Sequence, residues 1–423
     1  MSTRSTATIR EAVAAVATDA RAEAAHRERQ RSSPADQVRR LAHAGLGALR
    51  VPVEFGGAGG TVTDLAALLV EVAAADSNLT QIVRGHLGFV ESLRAQPPGA
   101  GRDELLAAAG RGELFGPAAS VRAPAEPADG ATSLVDGDTR ITTAGDAVRL
   151  SGTKYYTTGS LYAEWINVLV PVENGYAEAV IRTDDPGVTV TDDWNGFGQR
   201  HTASGTAVFD DVPVRPEHIF PRTDPDSDAY LNAFYQFVHS ATQAGITRRA
   251  GEDLAEIVRG RTRTYPLAAA PTPRTDPQVL GVVGEVVARG YAARADVTAL
   301  ATTFDRFHAA PPGQRPGLLA DVVVESAAVQ VLNSRLVSEA TWLLFDAASA
   351  SAVDADLALD RHWRNARTIS SHNPSIYKSR VVGDHAVNNR LPASPLTKNL
   401  PTADASAEKP APLAGAPGSP GAR

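Results

Sequence analysis

The amino-acid sequence predicts an α+β protein in three successive parts: an N-terminal helical domain, a central β-barrel or sandwich domain, and a C-terminal four-helix bundle. Three changes of pattern carry that reading. Leu65, Leu68, Leu69 and Val72 recur at the spacing of one helix face. Near Leu114 the pattern turns to short runs separated by turn residues, and it keeps that character to Phe220. Helical periodicity returns at about Asp226 and persists to Val387. The parts are expected at 1–112, 113–222 and 223–392, followed by a disordered tail at 393–423 that is too poor in large apolar groups to fold.

A chain of 423 residues is too long for one simple core. The net charge of −7, with no long basic run, argues against nucleic acid as a partner. No apolar run approaches the roughly 20 residues of a membrane span, and the start has no signal-peptide pattern, so a cytoplasmic protein without a membrane partner is expected. The absence of cysteine excludes disulfides, thiolate catalysis and zinc–thiolate sites, and no metal centre is expected.

Along the chain, residues 8–46 carry charges at helical intervals among alanines, and Ser33-Pro34 divides them into two helices. The five glycines of 48–60 lack the strand–Gly–helix order of a phosphate or dinucleotide loop. A further helix at about Leu79–Arg94 carries His86, which on an apolar helix reads first as a core histidine, and a short helix covers 103–110. In the β part, turns are expected at Asp136-Gly137, Asn174-Gly175 and Asp185-Pro186-Gly187. The strand from Ala147 ends in Tyr155-Tyr156-Thr157-Thr158-Gly159-Ser160, a strand end that can offer hydroxyls to a ligand. Polar residues 194–205 precede a last strand from Thr206. In the helical part, Phe234, Val238, Ala241 and Gly245 form one stripe, and Val329, Leu332, Leu336, Ala340 and Leu343 another.

Functional side chains are densest in Leu359–Pro374. Arg361, Arg364 and Arg367 recur every three residues, beside a row formed by His362, Asn365, Ile369 and His372. Pro374 disfavours the helical conformation at Asn373, so the helix is expected to end near Ser371. That leaves His372 at a helix C-terminus, where the dipole favours the charged imidazole.

The order helices, β module, helical bundle is similar to that of the acyl-CoA dehydrogenase superfamily over about residues 10–390. Gly152–Ser160 resembles the segment that lies against the flavin ring in that fold, and Phe209–Val214 resembles the closing strand of its β domain. Dehydrogenases of the fold abstract a proton with a glutamate, commonly in the loop where His372 stands here. Neither Ser371–Pro374 nor the polar end of the first bundle helix, with Glu252 and Glu256, offers an obvious replacement. Asp360–Thr368 followed by His372-Asn-Pro instead resembles the flavin-dependent monooxygenases of this fold, the dibenzothiophene monooxygenase family.

What the resemblance implies is a two-component enzyme. A separate flavin reductase supplies reduced FMN, O2 adds to it, and the resulting hydroperoxyflavin oxygenates a small organic substrate at sulfur, nitrogen or carbon. Under it, His372 is the proton donor or peroxide stabiliser, His86 a second pocket histidine, and Thr158 the hydroxyl donor to the flavin. Tyr156 stacks on the ring, Ser160 and Ser120 belong to the cofactor site, and Arg263 reaches the flavin phosphate of a neighbouring subunit in a homotetramer. Two departures concern the substrate. Pro117 stands where relatives often carry asparagine, and Ile369, where the dibenzothiophene enzyme carries histidine, makes a more apolar mouth. The competing readings are an acyl-CoA dehydrogenase-type flavoenzyme and a non-catalytic flavin- or ligand-binding relative.

Overall fold

The computed structural model describes residues 4–121, 138–145, 147–173 and 175–392; the Asp136-Gly137 turn, Asn174 and the tail at 393–423 lie outside them. Five helices come first: α1 (Thr6–Gln30), α2 (Ala35–Ala44), α3 (Val62–Ala75), α4 (Ser77–Ala95) and α5 (Ala100–Arg111). Their ends follow from local chemistry. Thr61 and Asp64 form a reciprocal capping box at the start of α3. Asp76 closes α3 and caps α4 through the Asn78 N–H, so two helices meet at one residue.

Eight strands follow: β1 (Phe115–Ala118), β2 (Arg140–Ala144), β3 (Ala147–Lys154), β4 (Trp165–Val172), β5 (Gly175–Arg182), β6 (Val188–Thr191), β7 (Thr206–Val214) and β8 (Ile219–Arg222). They form two four-stranded sheets, in the orders β1-β4-β5-β8 and β2-β3-β7-β6. Only the β1–β4 pairing is parallel among the described residues. Ile166, Val168, Val170, Ala177, Ala179 and Ile181 of one sheet pack on Leu150, Phe209, Val212 and Val214 of the other. This is a sandwich. The strand expected to close it, β7, is internal to its sheet, and β8 comes after it in the chain.

The C-terminal part holds α6 (Pro225–Gly260), α7 (Pro277–Ala309), α8 (Arg315–Ala348), α9 (Asp360–His372) and α10 (Ser375–Asn388). Three long helices pack on one another, and α10 lies along α8 as the fourth. Asp224 caps α6 through the Asp226 and Ser227 N–H groups, with Pro225 at its first position. The stripe Phe234, Val238, Ala241 is fully buried. Gly245 extends it, because a Cβ there would stand 2.5 Å from the Cβ of Ala73, so α6 crosses α3 at close range. The second stripe is divided: Val329 and Ala340 are buried, whereas Leu332 is 47% exposed. By length and composition the span Pro312–Ala348 could cross a membrane, but it packs along α6 and α7 in the bundle.

Candidate functional site

The polar row of α9 is a clamp. Arg361 (2.8 Å) and His362 (2.7 Å) both reach Asp253 of α6, and Arg249 pairs with it as well. Burial alone would raise the Asp253 carboxyl, but the hydrogen bond from His362 and the two guanidiniums hold it well below the usual carboxylate range. His362 itself is pushed down to about 4 by burial and Arg361, so it donates as a neutral imidazole. Asn365 accepts the Gln199 N–H at 2.6 Å and donates to the Ser77 hydroxyl at 3.1 Å. Arg364 pairs with Glu28 of α1 at 2.6 Å, and Glu28 also meets Arg200 and His201. Trp363 stacks on Phe197 with ring centroids 5.6 Å apart. The polar stretch 194–205 is therefore tied at once to α1, α4 and α9.

On that tied stretch stands the strand end expected to face a flavin. Tyr156 is 59% exposed, sits in the left-handed region (φ +57°) and meets the edge of Trp194 at 6.3 Å. A bulky residue with positive φ is strained, and such strain recurs at ligand sites. Thr158, half-buried, shares a 2.7 Å hydrogen bond with Ser204, and Ser204 shares another of 2.7 Å with Thr202. Thr202 donates to the Gln199 carbonyl at 2.8 Å. Each hydroxyl has one proton, so Ser204 must donate to Thr202 and Thr158 to Ser204. Thr158 therefore turns a lone pair outward; in the free protein it is an acceptor, where a donor was expected. Gly159 presses this loop onto α4, since a Cβ there would stand 2.4 Å from the Ile82 carbonyl.

Two residues along α4 from Ile82 is half-buried Arg84, the first of a group of side chains that fills the recess where α4, α6 and the end of α9 meet and that stays open to solvent at His372. Its Nε donates to the Tyr235 carbonyl at 3.3 Å, and its guanidinium lies 4.7 Å from the centre of the Tyr235 ring. Gly88, one turn on, makes room for that ring: a Cβ there would stand 2.1 Å from it. His239, one turn beyond Tyr235 on α6, meets His372 edge to face at 4.8 Å. His239 is 2% exposed, and its Nε2 has no partner among the described residues. His372 is exposed, yet the protein packed beside its ring, with Arg84 nearby, lowers its imidazole. That packing opposes the charged form which the helix dipole favours. The helix runs one residue further than expected and ends at His372, and the next carbonyl, of Asn373, is held by Gln330 of α8 at 2.6 Å.

Three sequence expectations fail on geometry. His86 is 1% exposed; its Nε2 meets the Gly47 carbonyl at 3.1 Å and its Nδ1 accepts the Phe115 N–H at 3.2 Å, so it is a core histidine with both nitrogens engaged. Ser160 is fully buried and donates to the Pro117 carbonyl at 3.1 Å, which fastens the strand-end loop to β1 and engages its hydroxyl within the protein. Ile369 packs on Ile246, Val337 and Ala366 inside the helices, so it shapes no mouth. Ser120 is half-buried, and its carbonyl accepts the Tyr155 N–H at 2.9 Å, beside the strand end. Arg263 is exposed in the loop after α6, close in sequence to exposed Tyr265 and Leu267. Arg84, Tyr235 and His239 escaped the sequence reading. The signal was the pair Tyr235/His239, one residue off the apolar stripe Phe234/Val238 and so on a neighbouring face.

Burial holds His86 down at about 4 against an ordinary 6.5. The unfolded chain therefore takes up this proton first, and stability present above the ordinary value is lost as pH falls from 6.5 toward 4. By about pH 5 the loss from this group alone is about 2 kcal/mol. Urea midpoints of the wild type and His86→Gln at about pH 7.5 and 5 measure it; an identical pH slope in the two proteins would show that His86 does not carry the shift.

A scaffold of helices, β-sandwich and helical bundle, with a recess between α4, α6 and α9, defines a flavoenzyme scaffold of the acyl-CoA dehydrogenase type. Residues 3–113 match the acyl-CoA dehydrogenase N-terminal domain, and residues 237–374 match the acyl-CoA dehydrogenase C-terminal domain. The chain belongs to the acyl-CoA dehydrogenase family, and its relatives lie on the monooxygenase side of it. It is 26% identical to dibenzothiophene monooxygenase of Rhodococcus erythropolis over 88% of this chain and 91% of that one. FMN-bound TdsC from Paenibacillus sp. A11-2 superposes with a TM-score of 0.82 at 26% identity, covering 91% of this chain and 98% of TdsC. Methanesulfinate monooxygenase MsuC from Pseudomonas fluorescens gives 0.83 at 25% identity with the same coverage.

Proposed function

We propose that the chain is a two-component flavin monooxygenase, which takes reduced FMN from a separate reductase and uses O2 to oxygenate a small organic substrate at sulfur, nitrogen or carbon. The observation that carries this reading is the make-up of the recess. Arg84, Tyr235, His239 and His372 meet there, and among the described residues none of their contacts is to a carboxylate side chain that could serve as a proton-abstracting base. Glu252 and Glu256, the acids considered from the sequence, pair with Arg21 of α1 instead.

The residues present fit FMN. Tyr156 offers an exposed aromatic face, and Thr158 offers a hydroxyl beside it. Bound reduced flavin supplies the two electrons that activate O2. Thr158, turned outward as an acceptor, matches a ring nitrogen that carries hydrogen, as in the reduced flavin, and mismatches the bare nitrogen of the oxidised form. His372 and His239 would hold oxygen by hydrogen bonding from their N–H groups, and His372 would relay a proton by taking one at one ring nitrogen as it gives one from the other.

Reduced FMN is expected to bind more tightly than oxidised FMN and than the flavin dinucleotide in anaerobic titrations. Ser204→Ala frees the Thr158 proton and is expected to cut the reduced-over-oxidised preference roughly fivefold, the weight of one hydrogen bond. Tight copurification with the dinucleotide, together with reduction by an acyl thioester, would overturn the reading.

Assembly is part of it. Tyr291, Leu332, Trp342, Ile376 and Tyr377 are exposed on α7, α8 and α10, and α10 buries no residue within its own chain. Such faces close into symmetric oligomers, here a homotetramer. Exposed Arg263 then reaches the flavin phosphate of a neighbouring subunit. Arg263→Ala is expected to weaken FMN binding about tenfold, as the loss of a charge-assisted bond does, without changing the mass by light scattering. A monomer that binds FMN tightly overturns the assembly.

A further inference from the structure

The recess holds a positive charge with nothing to answer it. Other buried arginines of the chain meet carboxylates: Arg27 meets Asp76, Arg50 meets Glu91, Arg222 meets Asp228 and Arg361 meets Asp253. Arg84 does not. Among the described residues its only recorded partners are the carbonyl and the ring of Tyr235, which leaves the terminal nitrogens of the guanidinium unpaired. The acid whose charge reaches Tyr235 is Glu178, and it is already paired with Arg222 at 3.2 Å. Burial lowers the Arg84 guanidinium to about 10, which leaves it charged at neutral pH. The guanidinium is half-buried, so it has lost part of its hydration, and an anion that meets its free nitrogens is favoured.

The neighbouring groups point the same way. His239 Nε2 is buried without a partner beside it, and His372 faces His239 at 4.8 Å. Neutral imidazoles can each donate one N–H to an oxyanion. Tyr235, held in place by Gly88, supplies an aromatic flank for the rest of a ligand. A guanidinium presents its donors as a planar fork, which matches a two-oxygen head group.

Resting on the monooxygenase reading of this recess, we propose that the substrate is a small organic anion with a carboxylate or sulfinate head, which Arg84 seats beside His239 and His372. Arg84 is then the residue that selects the substrate class, and a neutral polycyclic substrate leaves it unpaired.

The test uses the full-length, flavin-free protein and isothermal titration with benzenesulfinate and benzoate against their neutral counterparts methyl phenyl sulfone and benzamide. The anions are expected to bind at least tenfold more tightly, and Arg84→Met is expected to abolish that preference. Arg84→Lys, which keeps the charge without the fork, is expected to restore part of it and serves if the methionine variant fails to fold. Equal binding of charged and neutral ligands, or an anion preference that survives Arg84→Met, overturns the proposal. A loss of reduced-FMN affinity in Arg84→Met as large as the loss of anion affinity also overturns it, and assigns Arg84 to the flavin. Failure of the monooxygenase reading is seen separately, as the absence of oxygenated product from reduced FMN and O2 while anion binding to the flavin-free protein persists.

Discussion

Replacement of His372 by alanine is expected to lower oxygenated product by about 10²–10⁴, the weight of a positioned proton donor. Reduced-FMN affinity is expected to stay within a few-fold, because the cofactor contacts proposed above lie on the Tyr156–Thr158 strand end and on Arg263. Electrons still reach O2 in the variant, so hydrogen peroxide should rise as product falls; an oxygen electrode with catalase, read beside product yield, separates the two. The packing around its ring and the Arg84 charge lower the His372 imidazole, so the activity limb it carries is expected below the ordinary 6.5. Undiminished product from the variant would show that the side chain only ends its helix.

Asp253→Asn is expected to destabilise the fold by about 3–5 kcal/mol, the cost of breaking a buried ion pair from one side. Asp253 receives Arg361, His362 and Arg249 in one place, so the substitution leaves two buried guanidiniums short of their counter-charge. The loss appears in urea unfolding followed by circular dichroism. An effect below about 1 kcal/mol would show that the cluster is solvated and that α9 is held by its apolar face alone. Asp253→Ala with Arg361→Met, which removes charge from both sides, should recover part of the loss.

The fold was legible where periodicity was strong. The stripes of α3 and α6 and the change of period near Leu114 each correspond to an element or a junction in the structure. The end of α9 before Pro374 was legible too, because a proline acts locally. Roles that depend on what lies opposite a side chain were not. His86 and His239 both stand on largely apolar helices, and nothing in their neighbours along the chain tells which faces Gly47 and Phe115 and which faces the recess. Ser160 and Thr158 are two residues apart on one polar turn, yet one hydroxyl is sealed against Pro117 and the other opens outward. The surroundings of His372 were out of reach for the same reason: a dipole is a property of the helix, whereas desolvation is a property of everything packed around it.

The junction at Ser77 bears on how the chain can come apart. The Ser77 hydroxyl belongs to α4, Gln199 to the β part and Asn365 to α9; both amide side chains donate to Ser77, and the Gln199 backbone N–H donates to Asn365. Asn78 adds the His201 N–H to the same knot. Cutting the chain at either boundary between its parts orphans buried donors and acceptors on both sides, which costs about 1–3 kcal/mol for each group left without a partner. The three architectural parts are thus not three thermodynamic ones: near the recess they share a keystone, and loosening any one of them loosens the flavin-facing strand end with it.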